Sequence, residues 1–266
     1  MSSPSPARPI RREPPQFGLV HVHGVAPLSA RMVRVTLVGP VLGALAVTEP
    51  AASVRLLLPP PGASTVMMPA WNGNEFLLPG GRRPLIRTFT PRRARPTSHE
   101  LDLDIVVHGS GPASDWAAGA RAGDEAALSG PGRGTVIDPS VSSFVLLGDE
   151  TAIPAISQML EVLSPATSVA VHLEVGAPGA PVALPEHPGA RTSWSVLGAG
   201  QVPGDTLVAA ARAAPLAPGA HVWAAGEAAA MQRIRRHLFE ERGVSRSHTT
   251  IRGYWKHGRA GAGAEA

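Results

Sequence analysis

The hydrophobic period of this chain changes once, near Pro139, and that change constrains the fold more than any other feature. Before it, short segments alternate apolar and polar residues, as in FGLVHVHGV (17–25) and RMVRVTLVG (31–39), with turn signals such as Gly39-Pro40 between them. A period of two marks strands with one buried face. After it, the apolar runs are continuous, as in FVLLG (144–148) and SVAVHLEVG (168–176), and they alternate with helical stretches. A continuous run suits a strand covered on both faces, and strand–helix alternation builds a parallel sheet. The pattern therefore predicts an antiparallel β-barrel over residues 17–139, followed by an α/β domain with a parallel sheet over residues 140–258.

Within the first half, Pro27 is expected to break the opening strand. SVRLLLP (53–59) reads as a strand stopped by Pro59-Pro60-Pro61, and residues 59–82 as a long loop with a short strand at Glu75–Leu78. PLIRTFTPRR (84–93) and ELDLDIVVH (100–108) read as two further strands, GPASDWAAGA (111–120) as a short helix and DEAALSGP (124–131) as the last strand. In the second half, helices are expected over 149–163, 205–214 and 227–243, with Pro154 tolerated in a first turn. TSWSVLG (192–198) and HVWAAG (221–226) complete four strands. Residues 1–16, with five prolines, read as a disordered lead, and 259–266 as a flexible tail. A β-barrel followed by an α/β domain is the order found in flavin reductases of the ferredoxin-reductase kind.

Composition removes several classes of chemistry. Cysteine is absent, which excludes disulfides, cysteine nucleophiles, cysteine zinc sites and cysteine-held iron–sulfur clusters. His21 and His23 share a strand face but have no ligand neighbours, so no metal site is expected. The 24 basic residues are 23 Arg and one Lys against 20 acids, giving a net charge of +4. No clustered basic stripe with interleaved aromatics is present, so nucleic acid is not an expected partner. No apolar stretch is long enough to span a bilayer and the start lacks a signal-like apolar segment, so a cytoplasmic, monomeric protein without membrane contact is expected.

Three segments carry candidate chemistry. In Arg87-Thr88-Phe89-Thr90, strand alternation puts Arg87 and Phe89 on one face and Thr88 and Thr90 on the other. A fixed cation grips phosphate in a fork, a flat ring offers a stacking face, and the Thr90 hydroxyl can donate to a ring nitrogen. The same four residues also suit an ordinary strand with a core Phe and a surface Arg. His108-Gly109-Ser110-Gly111-Pro112-Ala113-Ser114-Asp115-Trp116 joins a strand to a helix, and a glycine turn into a helix presents N–H groups to a diphosphate. Its polar residues serve equally as plain helix caps. Trp223-Ala224-Ala225-Gly226-Glu227 ends a strand and opens a helix, the place where α/β sheets bind nucleotides. Alternatively Trp223 is a core aromatic and Glu227 complements a helix dipole. GAGQVPG (198–204) has the wrong glycine spacing for a dinucleotide fingerprint.

RPLIRTFTPRR, LDLDIVVHGSGPASDWAAGA, FVLLGDETAIPAI, VWAAGEAAAMQRIRRHL and IRGYWKHG, in this order, resemble the siderophore-interacting protein family of FAD-dependent ferric-siderophore reductases. The resemblance runs from about Gly18 to Gly258. It implies a Greek-key FAD barrel followed by an NAD(P)H-binding domain of the ferredoxin-reductase type. It puts Arg87, Thr88, Phe89 and Thr90 on the flavin, with Thr90 nearest the chemistry and Phe89 where the family often has Tyr. It puts Asp104, Val106 and His108 along the cofactor, Gly111, Ala113 and Ser114 on its diphosphate, and Thr151 facing the same cleft. It assigns Trp223, Ala225, Gly226 and Glu227 to the nicotinamide side. It brings Trp255 or Tyr254 over the ring and sets Lys256, Arg252 and His257 against an anionic ferric siderophore. A C-terminal anchor packed on the sheet is the other reading of that last segment.

The activity so implied is electron transfer from NADPH or NADH, through FAD, to ferric iron in a siderophore, with release of ferrous iron. Reduced ferredoxin stands as an alternative donor. The rival readings are an oxidoreductase of the same fold with another acceptor, such as a free flavin or a protein, and a flavin- or siderophore-binding module without turnover.

Overall fold

The computed structural model describes residues 17–109 and 111–258; the expected lead, Ser110 and the tail lie outside the described residues. The first half forms strands β1 (Phe17–Ser29), β2 (Met32–Val38), β3 (Val54–Leu57), β4 (Ala70–Trp71), β5 (Phe76–Leu77), β6 (Ile86–Phe89), β7 (Pro91–Arg95) and β8 (Glu100–Val106), then helix α1 (Pro112–Gly119) and strand β9 (Glu125–Ser129). Seven of these strands make one antiparallel sheet in the order β6-β3-β9-β1-β2-β8-β7, while β4 and β5 pair in the long loop.

The two edge strands, β6 and β7, are consecutive in the chain with only Thr90 between them. The sheet must therefore curl until its edges meet at Thr90, and this residue is the seam of a half-barrel. Alternate residues fill the interior: Val20 and Val22 of β1, Val35 and Leu37 of β2, Leu101, Leu103 and Ile105 of β8 form one buried cluster. Pro27 does not end β1. Phe17–His21 pair with β9, but the later part of β1 ladders only with β2, so its other side needs no N–H from residue 27.

The second half contains β10 (Ser143–Asp149), α2 (Ile153–Val162), β11 (Ser168–Val175), β12 (Ala190–Val196), α3 (Asp205–Ala213), β13 (His221–Glu227), α4 (Ala228–Arg236) and β14 (Thr249–Trp255). All five strands run parallel in the order β12-β11-β10-β13-β14. The fifth, β14, is an addition to the four expected: Gly253 interrupts its apolar pattern so that the strand can lie against Ala228. Strand order reverses between β10 and β13, which sets a crevice at their C-terminal ends.

The continuous run of β10 divides between two cores. Phe144 and Leu146 join one cluster with α2, Val171, Leu173 and Trp223; Val145 and Leu147 join another with α3 and α4 residues. The α2-side cluster also takes in Met32 and Ala51 from the barrel, with Val106 packed against it. An apolar seam thus fixes one sheet against the other. Polar ties reinforce it: Arg31 forks onto Glu150, with Nε 2.8 Å from Oε1, and Arg92 onto Glu161, with Nη2 2.7 Å from Oε1. Gln158 accepts from the Ala51 N–H and donates to the Pro91 carbonyl.

Candidate functional site

Arg87 and Phe89 are half-buried and Thr88 is exposed, but Thr90 is buried, unlike Thr88 with which alternation grouped it. The reason is the seam: β6 ends at Phe89, and the chain turns through Thr90 to the opposite edge of the sheet. Burial pulls the Arg87 pKa below its ordinary value, and its Nη1 donates to the Ile86 carbonyl at 2.8 Å. Phe89 borders the same apolar cluster as Ala113 and Trp116 of α1. β6 and β8 are not neighbours in the sheet; β7, continuing from β6, pairs with β8, and that relay brings the two motifs to one end of the barrel.

The turn into α1 rests on Gly109 at φ 77° and Gly111 at φ 90°. Nothing lies within 4 Å of where a side chain would stand on either, so the backbone is open to a close-lying group. Gly111 is the N-cap and makes no side-chain cap bond. Ser114 is buried and its hydroxyl accepts from the His108 N–H at 2.9 Å, which braces the turn, while the His108 side chain is exposed. An open helix N-terminus beside a half-buried cation and a half-buried ring fits a flavin dinucleotide. Asp104 is held by Arg34 in a fork at 2.7 and 2.9 Å. Val106 turns to the apolar seam between the sheets.

The C-terminal segment divides its tasks. Burial pushes the Tyr254 phenol pKa up, and the nearby Thr90 hydroxyl offsets part of that rise. Trp255 is drawn elsewhere, its Nε1 donating to Asp149 Oδ2 at 2.7 Å. Of the two aromatics, Tyr254 is the one at the barrel seam. Arg252 is also committed: its guanidinium donates to the carbonyls of Ala51 at 3.1 Å and Gly134 at 2.7 Å. It clamps β14 to the barrel, whereas Lys256 and His257 are exposed. Arg252→Met keeps the apolar stem but loses these charge-assisted bonds, at a cost of about 2 kcal/mol. A thermal melt of the flavin-free protein is expected to fall by roughly 4–8 °C. An unchanged melt would remove the clamp role.

The four residues expected on the nicotinamide side, Trp223, Ala225, Gly226 and Glu227, are all buried. Trp223 is fully buried in the seam core and its Nε1 donates to Thr135 Oγ1 at 3.2 Å, so the core reading holds. Ala225 is buried in the same cluster. Glu227 is buried as the cap of α4, accepting from the Ala230 N–H at 2.8 Å. Thr151 directs both its N–H and its hydroxyl to Asp149 Oδ1, at 2.9 and 2.5 Å. Asp149 and Glu174 were absent from the expected set. The Asp-x-Thr pattern after FVLLG and the lone acid within SVAVHLEVG were their only sequence signals. Burial pushes the Asp149 pKa up to about 6.

Comparison with known proteins identifies relatives of both halves. Residues 21–135 match the family model of the siderophore-interacting FAD-binding domain, and residues 141–258 that of the siderophore-interacting protein. A siderophore utilization protein from T. fusca is 34% identical with a TM-score of 0.83, covering 95% of this chain and 97% of that one. The siderophore-interacting protein SipS from Aeromonas hydrophila is 30% identical with a TM-score of 0.75, covering 91% of this chain and 99% of its own. The ferric vibriobactin reductase ViuB of Vibrio cholerae is 32% identical over 149 residues, 56% of this chain and 55% of that protein. A ferredoxin reductase of carbazole 1,9a-dioxygenase, 15% identical at a TM-score of 0.64, shares the fold. With both halves matched in order and a solved relative spanning nearly its whole length, the chain belongs to the siderophore-interacting protein family.

Proposed function

We propose that this protein is a flavin-dependent reductase of ferric siderophore complexes. The observation that carries the reading is the barrel end, where Phe89, flanked by Arg87 and by Thr90 at the seam, borders the same apolar cluster as Ala113 just inside the glycine turn into α1. Arg87 and the N–H groups at Gly111 and Ala113 would hold the diphosphate of FAD, and Phe89 and Thr90 its ring. Bound there, FAD supplies chemistry that no side chain can: it takes up two electrons and releases them singly. Tyr254, packed on the apolar seam near Thr90, limits water at that end of the ring.

Ferric iron is substrate, and the siderophore supplies its ligands. Hard oxygen donors hold Fe(III) far more strongly than Fe(II), so one electron loosens the complex without a protein ligand. Among the described residues no group of three or more His, Asp and Glu is placed to hold a metal ion. Lys256 and His257 are exposed just beyond Tyr254 and Trp255, where a cation attracts an anionic chelate.

Lys256→Glu is expected to lower kcat/KM for an anionic ferric chelate about tenfold at low salt, and less as salt rises. Unchanged turnover would remove Lys256 from recognition. The reaction itself is tested by anaerobic absorbance, reducing the flavin chemically and adding a ferric siderophore with a ferrous-iron trap. Return of the oxidised flavin spectrum as the ferrous complex appears supports the proposal. Oxidation of the flavin only by other acceptors would reassign the substrate.

A further inference from the structure

A parallel sheet of this kind ordinarily takes a dinucleotide at the C-terminal ends of its strands, with the diphosphate on unpaired N–H groups of the helix N-termini. Here the chain's own carboxylates already engage at least one of those groups at, or just ahead of, each of the three helices. Asp149, ending β10, accepts from the Thr151 N–H ahead of α2 and from the Glu227 N–H, each at 2.9 Å. Glu174, near the end of β11, accepts from the Gly204 N–H at 2.6 Å and the Thr206 N–H at 3.0 Å, at the start of α3. Glu227, ending β13, accepts from the Ala230 N–H of α4 at 2.8 Å. The three are 6%, 3% and 5% exposed.

Gly226 reinforces the point. A glycine at such a strand end usually lets a phosphate approach the backbone, but this space is filled: a Cβ on Gly226 would stand 2.4 Å from Asp149 Oδ2. Trp255 Nε1 donates to the same oxygen at 2.7 Å. A fourth acid, Glu150, is buried beside them, and the cation that reaches it, Arg31, is spent on it in a fork. An entering diphosphate would meet like charge, and displacing any of these carboxylates would leave it buried and unpaired.

Resting on the proposed function, we infer that the strand-end crevice of the α/β half receives no dinucleotide diphosphate, so that the chain does not read the adenylate half of a nicotinamide donor. The residues do not fit that group in its usual place.

The test uses the full chain and has two arms. In the first, NADP+ and NAD+ are titrated calorimetrically onto the flavin-free protein; no saturable heat is expected, and stoichiometric binding at about 10 μM or tighter would overturn the inference. In the second, the FAD-loaded protein is mixed anaerobically with NADPH, NADH or reduced nicotinamide mononucleotide, and flavin bleaching is followed. The three second-order rate constants are expected to agree within about threefold, whereas a preference of about 100-fold for a dinucleotide would overturn it. Bleaching by none of the three also supports closure and turns the search to a protein donor such as a reduced ferredoxin. If the protein takes up no FAD, the proposed function fails, and the calorimetric arm still decides the inference.

Discussion

Arg87→Ala is expected to weaken FAD binding about 100-fold, leaving the purified protein largely colourless. A forked guanidinium–phosphate contact in a half-buried site is worth roughly 3 kcal/mol, which is about two decades of affinity. Arg87 already bears a desolvation cost, seen in its lowered pKa, and a phosphate partner would offset it. Flavin fluorescence titration measures the affinity. The near-ultraviolet circular dichroism of the five tryptophans, buried Trp223 among them, reports separately that the protein is still folded. Full flavin occupancy in a folded variant would refute the clamp. Arg87→Lys is expected to recover only part of the loss, since an ammonium does not make the fork.

Gly226→Ala is expected to cost about 3 kcal/mol or more and lower the melting temperature by roughly 6–12 °C. Two effects combine. The residue holds φ 153° at the end of β13, outside the range comfortable for a side chain. Its new methyl would also meet the Asp149 carboxylate, which is fixed by Thr151, Glu227 and Trp255 and cannot give way cheaply. If Gly226 instead served a phosphate, the methyl would harm nucleotide binding and spare stability. A melt of the ligand-free protein separates these outcomes, and an unchanged melt would remove the Asp149 contact from the account.

The sheets were legible where a strand's burial depends on its own sequence pattern. The alternation of RMVRVTLVG and the unbroken FVLLG predicted β2 and β10, because one strand has one covered face and the other has two. Pro27 misled, because whether a missing N–H matters depends on which side of β1 has a partner. β14 was missed for a similar reason: Gly253 looks like a break until Ala228 is seen packed against it. The seam at Thr90 was hidden because PLIRTFTPRR reads as one strand, and only the sheet order reveals that its halves lie on opposite edges.

The sequence by itself determined the succession of an antiparallel and a parallel unit, the absence of thiol chemistry, and the run from Arg87 to Thr90 with its glycine turn into a helix. These are local patterns, set by neighbours a few residues away. The tertiary structure alone decided which polar groups remain available for a ligand. Arg252 is taken by carbonyls at Ala51 and Gly134, Asp104 by Arg34, and the space at Gly226 by Asp149. A charged group's role depends on the partner that compensates its desolvation, and here those partners lie 70 or more residues away along the chain.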